Sequence, residues 1–342
     1  MRRLGLWLRV GVAVVMGLAE RSARRLRKGP TLPSWIWAEE LFVAAYRAAL
    51  KASARDVDLL AARGRGLQLP LRRDLRRGLS VSTERLAGVE AERYQPRGEH
   101  HGTILYLHGG GFVSGSAGLE RQVAAERSAT LQCETWNVSY RLAPRHPFPA
   151  ALDDVVTAYE ALIARGADPT RTILYGGSAG AGLALATLVK LRDQGLPMPL
   201  GAVLLWPYAD MTFSGPSVHD NSSIDVLDLE ALAPVWGPAY VGDADPSDPL
   251  VSPALADLTG LPALLIVAGT AESLLSCARQ IDANARAAAV DVQLMEFPEK
   301  VHGWMLLPRL PATRQARTQI DSWVRTRLGS AAAATDPTST IN

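Results

Sequence analysis

The chain has 342 residues, 48% of them hydrophobic and 20% charged, which is enough apolar material for one large core. Its two cysteines, Cys133 and Cys277, are far apart and its six histidines form no cluster with zinc spacing, so we expect neither a disulfide framework nor a metal site and favour a cytoplasmic protein. The net charge of +2 conceals a basic N-terminus, but no aromatic or helix-turn-helix pattern supports nucleic-acid binding there.

The first 28 residues combine an apolar stretch with a concentration of positive charge. Against the acid Glu20 they hold eight basic residues, namely Arg2, Arg3, Arg9, Arg21, Arg24, Arg25, Arg27 and Lys28. The apolar stretch, residues 4–19, is interrupted by Arg9 and is too short and too charged for a convincing membrane span. We expect an ordinary or interfacial helix that makes peripheral contact with an anionic membrane; a membrane anchor and a cleaved signal peptide remain alternatives.

A second helix is predicted over residues 35–62, where Trp35, Glu39 and Phe42 begin an alanine-rich helical pattern. Gly64, Gly66 and Pro70 end that pattern.

From residue 79 onward, short apolar segments alternate with helical patterns. The predicted strands are 79–86, 89–94, 103–107, 134–139, 172–175, 203–206, 263–268 and 292–297, and the main predicted helices are 120–131, 150–165 and 179–194. This alternation predicts a mostly parallel sheet covered by helices on both faces. Residues 211–240 are polar and proline-containing, which indicates an insertion, and the small, polar tail 329–342 is expected to be disordered.

The strongest chemical signal is the sequence Gly-Gly-Ser-Ala-Gly at residues 176–180. It directly follows a predicted strand and opens a predicted helix, which is the context that a nucleophile elbow requires. We therefore predict that Ser178 is a nucleophile, since a chance glycine-rich loop would not share this strand–turn–helix setting.

A second glycine-rich segment, His-Gly-Gly-Gly at residues 108–111, follows another predicted strand. Glycines leave backbone N–H groups free to face a ligand, and this segment is of the oxyanion-loop type. The predicted oxyanion donors are the N–H groups of Gly110, Gly111 and Ala179. We expect His108 to organise this loop rather than to act as a base.

The base and the acid are predicted from their order along the chain, which is serine, acid, histidine in this type of fold. His302 follows the last predicted strand and fits the base, whereas His219 lies in the polar insertion. Glu272, in the loop after strand 263–268, is the favoured acid; Asp282 is the alternative, although it falls within the following helix. Asp248 precedes that strand and therefore occupies the wrong position.

Four motifs in this order resemble those of the bacterial hormone-sensitive-lipase-like (family IV) carboxylesterases of the α/β-hydrolase superfamily. They are HGGGF at 108–112, YRLAPRHPFPAALDD at 140–154, GGSAG at 176–180 and VHGW at 301–304. The resemblance covers roughly residues 80–325. It differs at Gly177, where many relatives carry Asp or Thr, and at the acid motif, where Glu272 stands in the position that is usually Asp.

The resemblance implies an α/β-hydrolase fold with an eight-stranded, mostly parallel sheet and a helical cap. The expected division is an N-terminal cap segment (1–70), a catalytic domain (71–328) with a cap insertion (211–240), and the tail (329–342). It also implies hydrolysis of short- to medium-chain acyl esters through an acyl-enzyme, without metal or organic cofactor, and a homodimer formed through strand 292–297.

Three other functions remain open from the sequence. Lactone hydrolysis and removal of an acetyl or N-acetyl group from a small metabolite could use the same triad. A non-catalytic ligand-binding protein could use the same fold, since fold does not imply function, but such proteins lose the base that His302 provides here.

Overall fold

The computed structural model describes residues 2–54, 56–57 and 68–335 of the chain. Their centre is an eight-stranded sheet in the order β1-β2-β4-β3-β5-β6-β7-β8. The strands are β1 (Leu79–Leu86), β2 (Val89–Pro96), β3 (Thr103–Leu107), β4 (Glu134–Val138), β5 (Thr172–Gly177), β6 (Gly201–Leu205), β7 (Ala263–Gly269) and β8 (Val292–Phe297). Strand β2 pairs antiparallel with β1 and β4, and the remaining pairs are parallel, as the sequence predicts.

Of the helices in the described residues, three precede the first strand, and the others lie between the strands or after the last one. They are α1 (Arg2–Lys28), α2 (Trp37–Ser53), α3 (Arg73–Gly78), α4 (Ala117–Leu131), α5 (Ala150–Ala164), α6 (Ala179–Asp193), α7 (Ser217–Asp220), α8 (Leu229–Val241), α9 (Leu275–Ala287) and α10 (Pro311–Thr335). Helix α4 packs with α10, whereas α5 packs with α6, so helices cover both faces of the sheet. Strands β3 to β6 are consequently buried throughout, which explains the mainly apolar sequences of β3, β5 and β6; β4 is buried although it contains Glu134 and Asn137.

The largest differences from the predicted boundaries lie at the ends of two helices. The helix predicted over 35–62 is α2, which ends at Ser53; residues 55 and 58–62 of the predicted segment lie outside the described residues. Helix α10 runs to Thr335, so residues 329–335 are helical although a disordered tail was predicted there. The helix is continuous with the packed part of α10 and extends it by two turns.

Helices α1 and α2 form a pair at the N-terminus. Gly17 of α1 allows close approach, since a Cβ there would lie 3.2 Å from Ala48 Cβ. The fully buried carboxylate of Glu40 on α2 lies 3.3 Å from both Arg21 and Arg25 of α1. No helix in the described part of the chain is long and apolar enough to cross a membrane.

The N-terminal pair is fixed to the main domain at the turn that precedes residue 301. Lys300 Nζ lies 2.5 Å from Glu39 Oε1 in a buried ion pair. Trp35 Nε1 donates to Glu299 O (2.6 Å), and Ser34 N donates to the Glu299 carboxylate (2.7 Å). Helices α7 and α8 lie between β6 and β7, where the insertion was predicted.

Candidate active site

The predicted nucleophile occupies a sharp turn between β5 and α6. Ser178 has φ 55° and ψ −120°, a conformation that is costly for a residue with a side chain. The turn is tight, because a Cβ at Gly176 would lie 2.2 Å from Gly180 O and one at Gly180 would lie 2.0 Å from Leu107 O. These two glycines are therefore required by the close approach of strand and helix, and the structure supports the predicted elbow.

The middle glycine of the motif is different. A Cβ at Gly177 would lie 3.4 Å from Trp206 Nε1, an ordinary contact distance. This position accommodates a side chain, which explains physically why it can vary without affecting the elbow.

The predicted oxyanion loop lies beside the elbow. Gly110 (φ 127°) and Gly111 (φ 61°) both adopt positive φ. Within the described part of the chain, no group accepts a hydrogen bond from the N–H of Gly110, Gly111 or Ala179. The three N–H groups are thus available to an oxyanion, as a donor set of this kind must be.

The oxyanion loop is held in place by a carboxylate that the sequence does not single out. Glu120 on α4 accepts from Gly109 N (2.8 Å) and from the Tyr106 hydroxyl (2.7 Å). His108 lies in the same layer, with its ring stacked on Tyr140 at 4.1 Å and its own carbonyl accepting from the Tyr140 hydroxyl. His108 therefore organises the loop, as expected.

The predicted base and acid meet at the carboxyl ends of β8 and β7. His302 Nδ1 lies 3.8 Å from Glu272 Oε2, and neither atom has a hydrogen-bond partner among the described residues. The other oxygen of Glu272 accepts from Gly269 N at 2.6 Å, which holds the carboxylate in place. The separation exceeds hydrogen-bond length, but catalytic contacts in unliganded sites are often long and tighten with substrate.

Burial controls the charge of both groups. Exclusion of solvent lowers the pKa of His302 to about 3, because burial penalises the imidazolium. Burial also raises the pKa of Glu272 well above its ordinary value, and the nearby charge of Asp225 raises it further. The resting imidazole is therefore neutral, which is the form that accepts a proton.

Asp225 is a second buried carboxylate that the sequence does not single out. One of its oxygens accepts from His302 N and the other from Ser273 N, both at 2.8 Å. It thus links the cap insertion to the loops that carry the base and the acid. Burial raises its pKa to about 6. Its position within a polar insertion of ordinary composition gives no sequence signal for this role.

The alternative residues lie elsewhere. Asp282 is on α9, where its carboxylate binds Arg286 at 2.8 Å on the exposed side of the helix. His219 is exposed on α7 and binds Glu230. Asp248 lies in a turn before β7, where it accepts from Leu250 N.

One cavity connects the reactive groups. Ser178, His302 and Gly109–Gly111 line it together with side chains from both parts of the cap, Tyr46 and Leu50 of α2 and Leu227 and Trp236 of the insertion. The indole ring of Trp236 lies directly over Gly111, where an added Cβ would come within 2.5 Å of Cε3. The cap therefore forms part of the cavity wall.

Comparisons with known proteins agree with this geometry. A family model described as alpha/beta hydrolase fold matches residues 104–306. An acetyl-hydrolase of Streptomyces hygroscopicus is 39% identical over 244 residues, covering 70% of this chain and 80% of that protein. An esterase of Acinetobacter venetianus is 37% identical over 238 residues, covering 69% and 78%.

Solved structures give the same assignment. The crystal structure of an esterase from the bacterial hormone-sensitive lipase family superposes with a TM-score of 0.72 at 32% identity, covering 94% of this chain and 98% of that one. That of an esterase/lipase from an uncultured bacterium gives 0.73 at 34% identity, covering 83% and 99%. With its elbow, oxyanion loop and buried histidine–glutamate pair, the chain belongs to the α/β-hydrolase-fold family, among the bacterial hormone-sensitive-lipase-like carboxylic ester hydrolases.

Proposed function

We propose that this enzyme hydrolyses short- to medium-chain acyl esters through an acyl-enzyme on Ser178. The observation that carries the proposal is a cavity lined by the strained Ser178, by Gly110 and Gly111 of the oxyanion loop and by the buried neutral imidazole of His302, which lies beside Glu272. This arrangement meets the geometric requirements for acyl transfer.

In the proposed reaction, Ser178 Oγ attacks the ester carbonyl while His302 takes its proton. Glu272 orients the imidazole and stabilises the imidazolium that forms. The N–H groups of Gly110, Gly111 and Ala179 bind the negative carbonyl oxygen. His302 then returns the proton to the leaving alcohol, and a water molecule, activated by the same base, hydrolyses the acyl-serine.

The proposed chain length rests on the cavity and on a relative. Trp236 closes the cavity over the oxyanion loop, which favours small acyl groups. A structure of EstE5, 34% identical to this chain, was obtained after soaking with p-nitrophenyl butyrate. We further propose a cytoplasmic location, since Cys133 and Cys277 are buried free thiols.

The test is a series of p-nitrophenyl esters of increasing acyl length, measured for the native enzyme and Ser178→Ala. We expect a rate maximum at short to medium chains and a loss of about 10³-fold or more in kcat for the variant. If Ser178→Ala turned over the esters as fast as the native enzyme, the assignment of Ser178 as the nucleophile would be refuted.

The same series tests the acid. Glu272→Gln should lower kcat by about 10²- to 10⁴-fold with little change in KM, because the imidazolium loses its partner. Asp282→Asn is the matched control and should retain native turnover. If Asp282→Asn lowered kcat and Glu272→Gln did not, Asp282 would be the acid instead.

A further inference from the structure

The outward surface of α1 is apolar along most of its length. Besides Trp7 (61%), five large apolar side chains of α1 are each exposed by half or more: Leu8 (70%), Val12 (50%), Val15 (66%), Met16 (66%) and Leu26 (77%). At 3.6 residues per turn, these positions fall within an arc of about 100° and extend along about 27 Å of helix. We refer to these five residues as the outer face of α1.

The other side of α1 uses several of its charges within the protein. Arg21 and Arg25 lie beside the buried Glu40, and Arg21 and Arg24 donate to the Thr31 hydroxyl at 2.6 and 2.7 Å. Packing of α1 on α2 therefore turns part of the basic sequence inward and leaves the apolar stripe outward.

Isolated exposed apolar residues are ordinary on protein surfaces, but a contiguous stripe indicates an interaction site. An amphipathic helix that lies flat in a lipid interface buries such a stripe among acyl chains and keeps cationic residues at headgroup level. The outer face of α1 has the length and the arc that this arrangement needs.

The charge of α1 favours a lipid surface over a second copy of the chain as the partner of its outer face. Helix α1 holds eight basic residues and one acid, a formal charge of +7 (8 − 1), and Arg27 and Lys28 are exposed at its end. Arg9, at the edge of the outer face, is 62% exposed and pairs with Asp56. Two such helices would repel each other, whereas anionic headgroups would attract them.

We propose that the outer face of α1 inserts into the interface of a lipid surface that contains anionic headgroups. Helix α2, which packs against α1, provides Tyr46 and Leu50 to the lining of the active-site cavity. Docking through α1 therefore keeps the cap close to the lipid, where water-insoluble acyl esters are concentrated. This last step rests on the proposed esterase function, whereas the docking itself does not.

Flotation of the full-length protein with vesicles tests the docking. The vesicles are phosphatidylcholine alone or phosphatidylcholine with phosphatidylglycerol. We expect the native protein to float with both and more strongly with the anionic vesicles. The double variant Val12→Glu/Met16→Glu should lower the bound fraction by roughly tenfold or more, because carboxylates replace the inserting side chains.

A matched control also carries two changes to glutamate, at exposed apolar positions in other elements, Val81→Glu/Leu255→Glu, and should float like the native protein. Hydrolysis of dissolved p-nitrophenyl butyrate should be equal in all three proteins, which shows that the variants are folded. If esterase activity is absent altogether, flotation still reports on the docking.

Three results would overturn the proposal. The native protein could remain unbound with both vesicle types, or the control could lose binding as much as the α1 variant. Light scattering could also show that Val12→Glu/Met16→Glu converts a dimer into a monomer, which would make the outer face of α1 a contact between copies.

Discussion

At the scale of single residues, most of those to which we assign the proposed reaction could be predicted from the sequence, and the structure places them near one another. Ser178 and the oxyanion glycines stand in short motifs directly after buried strands, and His302 and Glu272 follow later strands in the expected order. Parallel strands bring their carboxyl ends to one edge of the sheet, so chain order translates into proximity. This explains why Glu272 rather than Asp282 lies beside His302.

Asp225 and Glu120 could not be predicted in the same way. Each is a carboxylate that accepts backbone N–H groups of a catalytic loop, Asp225 from His302 and Glu120 from Gly109. Nothing in their local sequence differs from an ordinary surface acid. Their roles depend on contacts between segments distant along the chain, which periodicity and motif spacing do not contain.

The lowered pKa of His302 predicts how the activity of the enzyme depends on pH. Neutral imidazole is the reactive form, and a pKa lowered to about 3 keeps it neutral far below the ordinary value of 6.5. The kcat/KM for a soluble ester should therefore stay high as the pH falls through 6.5 and should decline only in more acidic solution. A pH profile of the native enzyme, corrected for inactivation, measures this.

An acid limb centred at pH 6.5 or above would contradict that expectation. It would mean that Glu272 offsets the effect of burial on His302 already in the free enzyme, and not only when substrate shortens the contact between the two side chains.

At the scale of elements, the strands and the main helices follow the sequence prediction closely, because uninterrupted apolar runs mark the buried parallel strands. The cap was predicted less completely. Residues 211–240 were recognised only as an insertion, yet they contain α7 and most of α8. Pro234 and Pro238 lie inside α8, and prolines inside a helix obscure its pattern in the sequence.

Helix α8 places Trp236 over the oxyanion loop, which predicts a change in acyl-length preference. Trp236→Ala should move the rate maximum toward longer p-nitrophenyl esters, since removal of the indole enlarges the cavity beside Gly111. The variant should also unfold more easily, by about 3–5 kcal/mol for loss of a buried tryptophan.

The comparison variant is Glu230→Ala, an exposed change on the same helix, which should leave the length preference unaltered. If the Trp236 variant keeps the native preference, the indole does not limit the acyl group.

At the scale of the whole molecule, strand order leaves β8 at one end of the sheet, hydrogen-bonded to β7. A free edge of this kind can pair with the same edge of a second copy. We expect a homodimer formed through β8, and light scattering of the native protein measures it. Leu294→Pro should remove a donor from the edge and yield a monomer; a native monomer would contradict the expectation.

The contacts between the N-terminal pair of helices and residues 299 and 300 limit which segments can be exchanged between related proteins. Residues 34–39 hold Glu299 and Lys300, and His302 follows two positions later. Residues 34–39 and residues 299–302 therefore pack as one unit next to the proposed base. A chimaera that exchanges the first 70 residues should lose less activity when residues 299 and 300 are exchanged with them, so that Glu39 and Lys300 are both retained or both replaced.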